Sequence, residues 1–328
     1  MFGYARAVAL IAALTIAGAA PVLADDPAMI GTPYPPGTNI TNAGINLVSA
    51  RAACDPDWDP PPHAVRAAWT GACVDKLLDG PGVLTLGFGA NAQTYTGSFT
   101  RGVAEGPMTI RLPDGTSFEG EFHRNMPNGH GVLRHPDGNV VEAGFVDDML
   151  DGPGHFTWPY GLSEDFVYQH GIANGPVVMT FAPFYRFTLA FRADRPNGPA
   201  ITTYADGSRT EFTFKDGTPD PVAVFIDAGG QRFAGAYVQA TVDPAQSRLG
   251  IAYPPEAQQA QWEGMVQVET LIAADGHVEH PLVTASSGCA CFGDAATAAI
   301  ATWHYRPATI GGHPIPSFRL LTVPFRLQ

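Results

Sequence analysis

Glycines recur in this chain at an interval of 23 residues, at Gly106, Gly129, Gly152, Gly175 and Gly198. Aromatic residues keep the same interval, at Phe99, Phe122, Phe145, Tyr168, Phe191 and Phe214. Each unit runs aromatic-x-Gly-x-aromatic, then Gly followed by Pro or His, then a Pro-Asp-Gly or Asp-Gly turn. The pattern is clearest in YTGSFTRGVAEGPMTIRLPDG (95–115) and FEGEFHRNMPNGHGVLRHPDG (118–138). A fixed period of this size means a repeat architecture. Short apolar runs such as 108–112 and 132–134, each stopped by Pro-Asp-Gly, are expected to be strands joined by tight turns. One hairpin cannot bury its aromatics alone, so neighbouring units must share an apolar face. The expected result is an elongated, twisted antiparallel meander. The same need for burial makes Tyr95, Phe118, Phe122 and Phe145 a shared core rather than an open apolar trough.

These units resemble MORN repeats. Residues 95–161 follow that pattern well and 162–217 loosely, since FAPFYRF (181–187) lacks the turn glycine and TYADGSRTEF (203–212) restores the pattern. WTGACVDKLLDGPGVL (69–84) fits as an earlier unit, with Cys73 where an aromatic is expected. The resemblance implies a scaffold or binding surface; it implies no chemistry.

The chain begins MFGYARAVALIAALTIAGAAPVLADD. Arg6, the apolar run 7–20 and the small-residue site Val22-Leu23-Ala24 have the form of a secretory signal peptide cleaved after Ala24. An uncleaved membrane anchor is the alternative. Exported, the protein is expected in the periplasm, with no strong membrane binding once the signal is removed. Net charge is −13 and no basic patch occurs, which disfavours nucleic acid and anionic lipid as partners. The remaining divisions are an irregular segment 25–65, the repeats at 66–217, a connector at 218–252 with DAGG (227–230) and DPAQS (243–247) as breaks, and a compact domain at 253–328.

That last domain is expected to be α+β. YPPEAQQAQW (253–262) is a short helical run, and GMVQVETLIAADG (264–276) alternates as a half-buried strand. Asp275-Gly276 signals a hairpin into 277–288. Asp294 is expected to cap a helix carrying Ala296, Ile300 and Trp303 on one face, and 317–327 is a final strand. The order is α-β-β-α-β.

This order is similar to that of the TonB C-terminal domain. The resemblance rests on Tyr253-Pro254, Glu263-Gly264-x-Val266, Asp275-Gly276, Ser286-Ser287-Gly288, the run Trp303-His304-Tyr305-Arg306-Pro307-Ala308, and Gly312. It implies a domain that works by binding, capturing a short peptide as an added strand. The implied edge is the last strand, at Phe318, Arg319, Leu320, Leu321, Thr322 and Val323. Pro324 has no N–H and must face an open edge or a bulge. The cleavable N-terminus and the repeats standing in place of a Pro-rich spacer depart from full-length members of that family. The reading is therefore an exported, non-enzymatic adaptor with a protein or peptide partner in the envelope. The alternatives are a membrane-anchored energy transducer of the TonB type, and an envelope enzyme in a divergent fold.

Nothing in the motifs points to catalysis or to a cofactor. His123, His130, His135, His155 and His170 fall in the repeats without ligand spacing, and His277, His280, His304 and His313 fall in the last domain. The acidic groups Asp147-Asp148-Asp151 and Asp55/Asp57/Asp59 read as solvated loops, the second lacking the glycine and distal Glu of a calcium loop. Four cysteines in an exported chain suggest two disulfides. Cys54 with Cys73 and Cys289 with Cys291 is the pairing of sequence neighbours, and the cross-domain pairings stay open. The Cys-x-Cys in SSGCACFGDAA (286–296) is expected to staple a turn; a redox pair activated by the following helix is the alternative.

Overall fold

The computed structural model describes residues 53–55, 66–87, 89–243, 245 and 250–327. The apolar N-terminal run, most of the 25–65 segment with Asp57 and Asp59, and most of DPAQS lie outside the described residues. Two compact units divide between Asp194 and Arg195.

The first unit is built of strands β1 (Ala67–Trp69), β2 (Ala72–Val74), β3 (Leu77–Leu86), β4 (Gln93–Thr100), β5 (Val103–Arg111), β6 (Ser117–His123) and β7 (Met126–Arg134). It continues through β8 (Val140–Val146), β9 (Met149–Thr157), β10 (Leu162–Gln169), β11 (Ile172–Ala173), β12 (Gly175–Phe181) and β13 (Tyr185–Arg192). From β3 onward each long strand pairs antiparallel with the next, and β1 and β2 both lie on β3. This is the expected long meander, and the 69–84 unit belongs to it: the Trp69 ring meets Phe99 edge-on at 5.2 Å. Tyr95, Phe99, Phe118, Phe122, Phe145, Phe166 and Tyr168 are all buried, so the aromatics form the shared core.

Two kinds of turn alternate. The Pro-Asp-Gly turn closes with Leu112 N–H donating to Thr116 O at 2.8 Å, while the Asp114 carboxylate accepts the Thr116 N–H at 2.8 Å. The other is a two-residue turn with both residues at positive φ: Arg101-Gly102, Arg124-Asn125, Asp147-Asp148, His170-Gly171 and Ala193-Asp194. Its second residue locks onto the preceding unit. Asn125 donates its N–H to Ala104 O at 3.1 Å and accepts the Ala104 N–H on Oδ1 at 2.7 Å; Asp194 makes the same reciprocal pair with Ala173. The periodic glycines sit elsewhere, at bulges inside the strands. Gly106 and Gly129 take φ of +77° and +104°, where the ladder steps from Gly97–Met108 to Ser98–Glu105 and from Gly120–Gly131 to Phe122–Pro127. A left-handed bulge residue is why the position stays glycine. In FAPFYRF the chain reverses without glycine, through a cis Ala182–Pro183 peptide and a Phe184 N–H donating to Phe181 O.

The second unit contains β14 (Arg195–Tyr204), β15 (Arg209–Lys215), β16 (Thr218–Pro219), β17 (Val222–Ile226), β18 (Arg232–Val238), β19 (Thr241–Val242), α1 (Pro255–Gln259), β20 (Gly264–Ile272) and β21 (Val278–Ser286). After these come α2 (Cys291–Ile300), β22 (Tyr305–Arg306), β23 (Ala308–Ile310), β24 (His313–Ile315) and β25 (Ser317–Phe325). The stretch expected as an irregular connector therefore carries a hairpin. β17 pairs with both β15 and β18, and DAGG is the turn between β17 and β18, closed by Asp227 N–H to Gln231 O. The connector residues look like breaks only because the turn is glycine-rich. β18 then pairs with β23, which pairs with β24.

The C-terminal domain keeps the α-β-β-α-β order, with β22 to β24 inserted before the last strand. Its sheet runs β21–β20–β25. Val266, Val268, Val323 and Phe325 on one face pack with Phe292, Ala296 and Ile300 of α2, and Phe292 stacks on Phe325 at 4.3 Å. Helix α2 begins earlier than its polar residues suggest. Ala290 is the cap and Asp294 lies in the first turn, so Asp294 is not the capping residue. The Cys291 N–H instead donates to Cys289 Sγ at 3.0 Å, and Cys291 opens the helix rather than sitting in the turn.

Candidate functional site

Strand β25 lies at the edge of its sheet. It pairs with β20 along its whole length without a register shift, from Gly264–Phe325 to Ile272–Ser317. Its other side has no partner strand among the described residues. The Ser287 N–H donates to Met265 O at 2.9 Å, and Ala273 N–H to His277 O. The odd-numbered residues of β20 therefore turn their main-chain groups toward β21, and the even-numbered ones toward β25. Carried through the register, Ser317, Arg319, Leu321, Val323 and Phe325 bond to β20. Phe318, Leu320, Thr322 and Pro324 face outward.

The edge implied by the resemblance divides in consequence. Arg319, Leu321 and Val323 are engaged with β20; Phe318, Leu320 and Thr322 present N–H and C=O groups to the outside. Pro324 occupies the outward register, where its missing N–H leaves the β20 ladder intact. At one end the edge is covered. The Tyr204 ring stacks over Phe318 at 6.0 Å, and its hydroxyl donates to Pro316 O at 2.8 Å. The stretch Leu320–Pro324 is left, and beside it Met265, opposite Pro324 on the same face, is 48 % exposed. Trp262, just before β20, is 50 % exposed. An open ladder beside exposed apolar side chains suits an extended peptide.

Behind β25 lies a polar cluster that sequence reasoning missed. Arg319, on the helix-facing side, influences the hydroxyls of Tyr237 and Tyr305. Burial pushes each phenol up to about 12, and the Arg319 charge opposes that rise. Its signal in the sequence is a single cation in an otherwise apolar strand, SFRLLTVPF. Tyr305 lies within the run Trp303–Ala308 and Tyr237 within the stretch expected as a connector, so neither marks the cluster by itself.

The histidines make scattered pairs. Nδ1 of His123 lies 3.1 Å from Glu105, that of His155 2.7 Å from Asp165, and that of His277 3.0 Å from Asp275. Among the described residues no group of three or more His, Cys, Asp or Glu side chains could hold a metal ion. Disulfides join Cys54 to Cys73 and Cys289 to Cys291, with Cα atoms 5.5 and 5.1 Å apart. No helix among the described residues is long and apolar enough to cross a membrane.

A repeat meander followed by a small α/β domain with an open strand edge defines a class of interaction protein. The comparisons name its parts. Residues 250–327 match the family of the Gram-negative bacterial TonB protein C-terminal domain, and residues 118–140, 142–162 and 190–209 match the MORN repeat. The chain thus carries three stretches that match the MORN repeat and a C-terminal stretch that matches the TonB C-terminal domain. Both families are interaction domains without catalytic chemistry, and the first is a domain of the Gram-negative envelope. No curated protein matches the chain.

Proposed function

We propose that this protein is a non-enzymatic adaptor exported to the periplasm, whose C-terminal domain binds an extended peptide of an envelope partner along the outer edge of β25. The observation that carries the reading is the outward register of Leu320 and Thr322, with Met265 exposed beside them. Each main-chain hydrogen bond gained contributes about 1 kcal/mol, so affinity depends on the apolar flank as well as on the ladder. The repeats act as the platform that carries this domain. The form of the N-terminal run supports export with cleavage after Ala24.

The test uses the mature full-length chain and a displayed library of twelve-residue peptides. Selected peptides should lose binding when alternate backbone nitrogens are methylated and keep it when the intervening ones are, the signature of a strand bonded along one side. Leu320→Pro, which removes one outward N–H, should weaken capture several-fold while leaving the circular dichroism spectrum unchanged. Uniform tolerance of N-methylation would refute strand addition, whatever the fate of the proline variant. Mass spectrometry of the exported protein should find Asp25 at its N-terminus; a retained segment 1–24 would favour an anchored transducer instead.

A further inference from the structure

Among the described residues Arg319 has no acid to meet it. No carboxylate lies within ion-pair distance of it among the described residues. Its Nε is buried without a hydrogen-bond partner, and so are Tyr305 Oη and Ser317 Oγ. These last two residues are only 1 % and 6 % exposed. Ser317 and Arg319, two apart on one strand, share a face. The Arg319 charge acts on the Tyr305 and Tyr237 hydroxyls alike. Buried polar groups are ordinarily satisfied, and leaving a donor or hydroxyl unmet is costly. A fixed fork of N–H donors flanked by hydroxyls is a receptor for a planar anion.

We propose that Arg319, Tyr305 and Ser317 form a binding site for a carboxylate. One guanidinium and neutral hydroxyls match a single negative charge, whereas a phosphate dianion would need further cations, and the chain's net charge of −13 repels polyanions. Arg319 is half-buried, so the guanidinium remains reachable from solvent. The carboxylate has two sources. One is the end or an acidic side chain of a peptide added to β25; a peptide running antiparallel to β25 brings its C-terminus toward the Ser317 end. That source rests on the strand-addition reading. The other source, a free small carboxylic acid, does not.

The experiment titrates the full-length protein with acetate against chloride at constant ionic strength, following the Arg319 Nε–Hε resonance and the melting temperature. A saturable acetate-specific shift and stabilisation are expected. The stabilisation should disappear in Arg319→Gln and need about tenfold more acetate in Tyr305→Phe. An equal response to chloride, or stabilisation by acetate that persists in Arg319→Gln, would overturn the site; the resonance in the unaltered protein decides the matter if a variant misfolds. Selected peptides are then compared with a free or amidated C-terminus and with Asp or Glu changed to the amide. A tenfold loss on either change, absent in Arg319→Gln, assigns the carboxylate to the peptide. Acetate binding with indifference to both changes assigns it to a free acid. Peptide capture that needs Leu320 while acetate does not bind leaves the edge standing and the carboxylate site refuted.

Discussion

Glu164 stands directly opposite Met179 in the β10–β12 ladder, which puts a carboxyl group in the apolar core of the repeats. Phe156 flanks it from the other side, and its Oε2 is buried without a hydrogen-bond partner. Burial, and secondarily the charge of Asp165, push its pKa up to about 8. The folded state therefore keeps a proton that the unfolded chain releases near the ordinary carboxyl range. Stability is fully present below that range, falls as pH rises toward 8, and levels off above it. The total loss is on the order of 4 kcal/mol. Glu164→Gln removes the ionisation and should flatten this slope, raising the melting temperature far more at pH 8 than at pH 5. Melting curves of the two proteins that stay parallel across this range would contradict the assignment.

A second prediction concerns Gly131. A Cβ there would lie 2.5 Å from the Phe118 ring and 3.0 Å from that of Phe145. The Phe118 ring fills the space a side chain would take and Gly131 has no positive φ, so the cost of Gly131→Ala is overpacking rather than backbone strain. It should destabilise by about 2 kcal/mol. Phe118→Leu in the same chain makes room and should cancel part of that loss. Urea denaturation of the two single variants and the double variant measures the coupling; additive effects would show that the ring and the glycine are independent.

Sequence legibility followed the strength of the local signal. The period was readable because every unit repeats the same burial problem, and Phe118 and Phe122 lie where it places them, in the core. The two-residue turns were not readable. Their sequences, such as Arg124-Asn125 and Ala193-Asp194, share only a second residue that tolerates the left-handed region. The hairpin β17–β18 was hidden because its turn resembles a linker, and β23, which pairs with β18, is distant in sequence. The start of α2 was misplaced for a similar reason. Asp294 is the one capping-type residue there, yet Cys289 Sγ receives the first N–H. The last strand was legible as a strand, but which of its residues face outward depends on register, which only the ladder to β20 supplies. The cluster around Arg319 joins residues 237, 305 and 319, and no local pattern brings these together.

Asn125 tests the two-residue turns. It holds φ at +69° and accepts the Ala104 N–H at 2.7 Å. Asn125→Gly keeps the backbone freedom and loses the hydrogen bond; Asn125→Ala loses both. The expected order of stability is Asn, then Gly, then Ala, with about 1 kcal/mol separating the last two. Chemical denaturation of the three proteins reads the order, and an alanine variant as stable as the glycine one would contradict the conformational argument.

The two disulfides should respond differently to removal. Cys54 and Cys73 are separated by 19 residues, and loss of a link closing such a loop costs about 3 kcal/mol in the chain-entropy account. Cys54→Ser/Cys73→Ser should lower the melting temperature accordingly. Cys289 and Cys291 enclose a single residue, so little chain entropy is at stake and Cys289→Ser/Cys291→Ser should melt close to the parent. Peptide mapping without reductant checks both links in the purified protein; a cross-link between the two pairs would overturn the comparison.

Pro324 decides how far the open edge extends. By the β20–β25 register it faces outward, opposite Met265, so the ring denies one hydrogen bond to any strand added there and blunts pairing between copies. Pro324→Thr restores that N–H without touching the β20 ladder. Selected peptides should then bind several-fold more tightly, in line with about 1 kcal/mol for the added bond, and self-association should increase at high concentration. Fluorescence polarisation and sedimentation velocity measure the two effects. If the N–H instead pointed toward β20, the substitution would raise the melting temperature and leave capture and self-association as they were, which would refute the outward register.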